Sequence, residues 1–299
     1  RLSGDIAFFL GPEQETPVIF PAYTLMPYRP VAYHNKTAAA RLAILFRLTE
    51  SAPPPVMVVT LAGIMQRMLP RAVMRDYAEL VMAGETLDLD AFREKLLDGG
   101  YSHTALVEEP GDFSVRGGIL DVFSPLYPEP IRIELFGDMV ENLRFFSPVT
   151  QRRKADITEA IILPARETVF NRAHAGRMIA AVKKQAALMD LPLSESRKVI
   201  DHFHNRDSAE GLESLMPLFY ENLSTLFDYL PARACFFIIS PDILREQAAD
   251  YQQQLAHNHE AAREQKRLCL PPDSHILDWT SVEEALAEYP RAAVRLGRL

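Results

Sequence analysis

The sequence predicts an α/β layer interrupted by a small inserted α+β domain, and three observations point there. Residues 1–78 alternate strand, helix, strand, helix. Residues 79–166 change to one helix followed by several short strands with turn residues between them. From Glu167 to residue 299 the helical character returns, with one further apolar strand. The expected domains are 1–78, 79–166 and 167–299, the outer two being parts of one α/β unit.

Each element has a local reason. Ile6 to Leu10 is a short apolar run read as a strand, and Val18 to Phe20 is another, ended by Pro21. Lys36 to Leu48 carries apolar residues at helical spacing, with Thr37 available as a cap. Ser51 to Pro55 is a proline-rich break, and the wholly apolar Val56 to Val59 suits a parallel sheet buried on both faces. Ala62 to Leu69 reads as a helix stopped by Pro70. In the insert, Asp90 to Leu97 is a helix ended by Gly99-Gly100. Ile119 to Phe123 and Ile131 to Phe136 are strands, and Gly117-Gly118 marks a bulge or a close backbone approach. A three-residue loop, Gly137 to Met139, would set Phe136 opposite Val140, Ile133 opposite Leu143 and Ile131 opposite Phe145.

Beyond the insert, Ala175 to Met189 is an amphipathic helix and His202 to Asp207 a polar loop or frayed end. Ala234 to Ile239 is an apolar strand stopped by Ser240-Pro241. Asp242 to Arg267 is a long polar helix with Ile243, Ala248, Tyr251 and Leu255 on one side. Ser281 to Tyr289 is a last helix, with Ser281 and Glu284 at capping-box spacing.

Composition narrows the function classes. The 299 residues are 48% hydrophobic and 24% charged, with net charge -8. Such a chain has no general pull toward phosphate backbones, so protein partners are favoured over nucleic acid. Two cysteines, Cys235 within an apolar run and Cys269, cannot build a disulfide framework, which fits a reducing cytoplasm. No apolar run approaches the ~18 residues of a membrane span. With no initiator Met, the chain is expected to be a piece of something longer.

Most catalytic chemistries lack their residues. None of the 13 glycines is followed by lysine, so no phosphate-cradling P-loop is present. Neither apolar strand, VMVVT or CFFIIS, ends in the acidic pair that would hold magnesium, so no working ATPase is read here. His202/His204 and His257/His259 are spaced by two; on a strand such a pair could share a metal, but on a helix the two point roughly 200° apart and cannot, which disfavours the second pair in its long polar helix, and the first pair lacks a third ligand in sequence reach. Ser114, Ser124 and Ser147 have no base nearby in sequence, and neither cysteine sits in a nucleophile motif. The basic run Arg152-Arg153-Lys154, with Arg144 before it, is the candidate phosphate patch, in a loop where Asp156 and Glu159 follow.

The strongest candidate is a surface. Along Ile131 to Phe136, alternate side chains face opposite sides. Ile131, Ile133 and Leu135 form a core stripe. Arg132, Glu134 and Phe136 face the other way, two charges beside a large aromatic, a combination that protein interfaces enrich. Arg116, if its strand pairs alongside, joins Arg132. The pattern is equally compatible with a Phe136 that another domain covers or that lies exposed.

The run RGGILDVF…IRIELFGDMVENLRFFSPVTQRR…ILPARE resembles the segment shared by the excision-repair protein UvrB and the transcription-repair coupling factors (Mfd). FPAYTLMPY (Phe20 to Tyr28), LAGIMQRMLP (Leu61 to Pro70) and GETLDLDAFREKLLDGGY (Gly84 to Tyr101) resemble the coupling factors in the same order. The resemblance is dense over residues 5–170 and continues to about Tyr289. It implies a degenerate helicase-lobe-like, P-loop-NTPase-like α/β domain split by a UvrB-like domain that docks on UvrA, the damage-recognition ATPase. It carries the UvrA-binding role onto Arg116, Arg132 and Phe136; Glu134, on the same face of the strand, and Arg144 are candidate secondary contacts. No cofactor is implied for this segment. ATP, magnesium, RNA polymerase and double-stranded DNA belong to other regions of the parent, an ATP-dependent translocase. The alternative is a fragment of a UvrB-like, ATP-dependent enzyme acting on damaged DNA.

Overall fold

The computed structural model describes residues 2–23, 27–28, 35–50, 52–170, 174–205 and 212–295. Thr24 to Met26 of the FPAYTLMPY stretch, Ser51 of the proline-rich break, and Arg206 and Asp207 lie outside that set, as do the side chains of Phe203 and His204.

The first part holds α1 (Leu2–Leu10), β1 (Val18–Phe20), α2 (Asn35–Thr49), β2 (Met57–Val59), α3 (Leu61–Met65) and α4 (Arg71–Tyr77). Ile6 to Leu10 is helical, not a strand. The run is short enough for its apolar pattern to suit either state, and Gly11, at φ 79°, supplies a left-handed helix stop. β1 and β2 are parallel, Val18 opposite Met57 and Phe20 opposite Val59. β2 is half-buried rather than sealed on both faces. α2 begins at Asn35, so Thr37 lies inside it and is not its cap. The helix expected to reach Leu69 ends at Met65, because the next residues find extended partners. Gln66 bridges Ile276 and Met68 bridges Ser224. Pro70 then stands at the N-cap of α4, where its missing N–H costs nothing.

The middle part holds β3 (Glu79–Met82), α5 (Leu89–Asp98), β4 (Ser102–His103), β5 (Asp112–Arg116), β6 (Ile119–Val122), β7 (Ile131–Phe136), β8 (Met139–Phe146), β9 (Arg153–Ile157) and β10 (Glu159–Ile162). Strands β4 to β9 form one sheet in chain order. β3 pairs antiparallel with β10, so the two ends of the segment meet. Asp88 caps α5 by accepting from the Ala91 N–H at 2.9 Å. A core from Val81 to Ala165 lies between α5 and the sheet, with Phe113, Leu120, Ile131 and Ile133 fully buried.

The third part holds α6 (Ala175–Leu188), α7 (Leu193–Asn205), a 3₁₀ segment (Leu212–Leu218), α8 (Leu226–Tyr229), β11 (Phe236–Ile239), α9 (Pro241–Glu264), α10 (Trp279–Ala287) and β12 (Arg291–Val294). The stretch from His202 to Asn205, expected as a polar loop or frayed end, is the last turn of α7. β11 and β12 are parallel. α9 packs through Ala248, Leu255 and Ala262 against α3 and α10, whereas Ile243, one turn from its start, is exposed. α10 starts three residues earlier than a Ser281 cap suggests. Asp278 is the cap and accepts from the Ser281 N–H at 2.6 Å. A carboxylate is the better acceptor at a helix N-terminus, and this contact holds the Asp278 carboxyl below the usual range. Cys235, placed by its sequence in an apolar run, is exposed, and Cys269 is buried.

Arg41 and Glu167 join the first and third parts. Both are buried, and the Arg41 Nε donates to Glu167 Oε1 at 2.5 Å. Arg41 Nη1 also donates to Pro21 O at 2.9 Å, and Tyr23 donates its hydroxyl to Glu167 Oε1 at 2.9 Å.

Candidate protein-binding surface

Strand pairing decides which side chains share a face. On β7 the sequence alternation holds, with Ile131 and Ile133 buried and Arg132, Glu134 and Phe136 directed to the opposite side. The β7–β8 turn differs from the expected one. It holds two residues, Gly137 and Asp138, so Phe136 faces Met139 and Val140 faces Leu135. Glu141 then bulges on β8 and supplies the residue the loop lacks, which restores Ile133 opposite Leu143 and Ile131 opposite Phe145. Gly117 and Gly118 form the neighbouring turn, between β5 and β6. A Cβ on Gly118 would lie 2.6 Å from the Leu135 carbonyl oxygen, so this position demands glycine.

The register therefore gathers the predicted residues on one face. Arg116 pairs with Ile119, and Ile119 with Glu134. One step along, Asp121, Arg132, Arg144 and Asp156 form a row across four strands. Both turns lie at the same end of the sheet, since the Leu135 N–H donates to Gly118 O at 2.7 Å. Phe136, 76% exposed, and Met139, 45% exposed, project at that end as a cross-strand pair.

Charge on the face is mostly matched internally. Arg132 donates from Nε and Nη2 to the two Asp121 carboxylate oxygens, each at 2.7 Å. Its guanidinium carbon also sits 4.9 Å from the Phe146 ring centre. Arg144 forks onto Glu134, and that contact holds the Glu134 carboxyl below the usual range. The Nε–Nη2 edge of Arg132 is therefore already taken by Asp121 and does not fork onto a partner carboxylate. This pairing depends on the β6–β7 register, which no sequence spacing displays. Arg116 is exposed and donates to the Ala105 carbonyl; among the described residues no carboxylate pairs with it. Nearby, Val107 closes onto Phe123 and Phe146, so residues 104–110 strap the far end of the face.

Only Arg152 of the basic run stays in a loop. Arg153 and Lys154 lie on β9, where they pair with Asp156 and Glu129. Among the described residues no three His, Cys, Asp or Glu side chains converge as a metal set. His257 and His259 lie on α9, and the His259 ring stacks at a tilt on Tyr28. No described helix is long and apolar enough to cross a membrane. The sequence reading missed Asp121 and Phe146 on this face, and Arg41 and Glu167 at the buried junction. A carboxylate in a strand three places after a glycine pair was the available signal for Asp121.

The surface lies inside a recognised unit, because residues 80–167 match the family model of the UvrB interaction domain. Over 96% of its length the chain is 34% identical to the transcription-repair-coupling factor of Myxococcus xanthus. The chain belongs to the transcription-repair coupling factor family. It is 28% identical to the Haemophilus influenzae protein over 91% of its length, and 28% identical to the Escherichia coli protein over 92%. It spans about a quarter of the length of these curated relatives, covering 25%, 23% and 23% of them. Membership places the chain in DNA repair, in the transcription-coupled branch of nucleotide excision repair.

Proposed function

We propose that this module of a transcription-repair coupling factor recruits UvrA, using the outer face of β5 to β8. The observation that carries the reading is Phe136, a large aromatic 76% exposed at a rigid two-residue turn within the segment that matches the UvrB interaction domain. An exposed aromatic flanked by arginines is what interface hot spots are made of. Arg116 adds a positive charge that steers an acidic partner patch, and Arg132 adds a held donor. Glu134 and Arg144 border the contact. The parallel β1–β2 and β11–β12 pairs and their helices are read as a degenerate helicase-like lobe split by this domain, acting in recruitment and not in catalysis. Hydrolysis of ATP with magnesium, displacement of RNA polymerase and tracking of duplex DNA are assigned to other regions of the parent, in the cytoplasm.

Phe136→Ala tests this directly. Titration against purified UvrA should show binding about 30-fold weaker, with an unchanged circular-dichroism spectrum and melting curve. Unchanged affinity would remove the face from the account.

A further inference from the structure

Asp121 is nearly sealed, its side chain 5% exposed, while its partner Arg132 is 22% exposed. A carboxylate this deep in a sheet face does not meet a partner protein itself. Its two oxygens take the Nε and Nη2 side of the guanidinium, and Phe146 lies against the guanidinium plane. Among the described residues nothing accepts from Nη1. A guanidinium has five donors in a rigid fork, so one edge can be fixed while another stays available.

Resting on the UvrA-recruitment reading, we propose that Asp121 is a positioning residue of the interface. It clamps one edge of Arg132 and thereby aims the Nη1 edge at an oxygen acceptor on the partner. Because Asp121 already balances the charge, a carbonyl oxygen satisfies that edge as well as a carboxylate. Phe146 is the second half of the clamp. Arg132 then arrives at the interface with little side-chain entropy left to lose, which is how preorganisation raises affinity.

This predicts the opposite sign from a simple charge model. If Arg132 acted only through its charge, Asp121→Asn would free that charge and tighten binding to an acidic patch. Under the clamp it should weaken UvrA binding by about tenfold. Arg132→Lys keeps the charge and a contact with Asp121 but lacks the second edge, so it should lose about as much. In the wild-type module, the Arg132 Nε–H signal should exchange slowly by NMR, and Asp121→Asn should accelerate it. Phe146→Leu, which leaves the carboxylate in place, should weaken binding by a smaller factor and serves if Asp121→Asn fails to fold. Phe136→Ala is titrated beside them. If it weakens binding while Asp121→Asn and Arg132→Lys bind as tightly as wild type or tighter, the clamp is wrong and the surface stands. Fast Arg132 Nε–H exchange in the wild type overturns the clamp too. If none of the variants, Phe136→Ala included, changes affinity, the recruitment reading fails.

Discussion

Arg41 and Arg132 each hold a carboxylate, under opposite conditions. Arg41 and Glu167 are buried together, 126 positions apart in sequence, and tie residues 20–23, α2 and the stretch after the insert to one another. Arg132 and Asp121 are 11 positions apart on neighbouring strands, with one partner sealed and the other reaching solvent. The same chemical pair therefore does two jobs. In the α/β region it fixes tertiary structure. On the insert it holds a side chain ready on a surface, beside a phenylalanine that the described residues leave exposed.

The comparison breaks most readily at the buried pair. Removing one partner leaves the other as a buried charge, so Glu167→Ala should cost about 3–5 kcal/mol of stability in a urea titration. The UvrA affinity of the molecules that stay folded should not change. A loss under about 1 kcal/mol would mean the junction is not the tie described.

The α/β region should also carry the acid sensitivity. His275 is buried against Tyr28, and that burial holds its imidazole down at about 4, with His259 adding to the effect. Since its folded pKa is depressed, the unfolded chain binds more protons between about pH 4 and 6.5. Stability from this group is therefore complete above that window and falls as pH drops through it, by about 3 kcal/mol in all. Urea titrations at pH 7 and pH 4.5 should show the fall, and His275→Phe should flatten it.

On the insert, effects should appear in binding rather than in folding. Phe136→Ala should lose about 2 kcal/mol of UvrA affinity with stability unchanged within ~0.5 kcal/mol. Arg116→Glu should lose about 1–2 kcal/mol, mainly in the association rate, and should flatten the dependence of binding on salt. Arg132→Glu, which the strand pattern alone presents as a clean probe, is not one. It seats a second carboxylate against Asp121 and should also lower the melting temperature. Smallest of all, Lys154→Ala and Arg153→Ala on the exposed β9 edge should change stability by less than ~0.5 kcal/mol and leave UvrA affinity alone.

The two regions also differ in how legible they were. β7 was readable to the residue because its alternation, Ile-Arg-Ile-Glu-Leu-Phe, has period two and one buried face. The same alternation put Arg132 and Phe136 on one side, and pairing of β5 with β6 brought Arg116 beside them. The Glu141 bulge was not readable, because a two-residue turn plus one bulged residue and a three-residue turn give the same core register. The end of α3 at Met65 depended on His275 and Ser224, both about 150 or more positions away, whose carbonyls accept from Arg67 and Met68. Nothing in the sequence marks Asp121 or Glu167 as buried, since burial of a charge is set by what folds over it.

Hydrogen exchange of the module with and without purified UvrA tests the central claim most directly. The account predicts protection at the two turns, Gly117-Gly118 and Gly137-Asp138, and at Phe136 to Met139, with none along β9, α9 or the β11–β12 pair. Protection on the α/β region, with those turn amides exchanging as before, would contradict it.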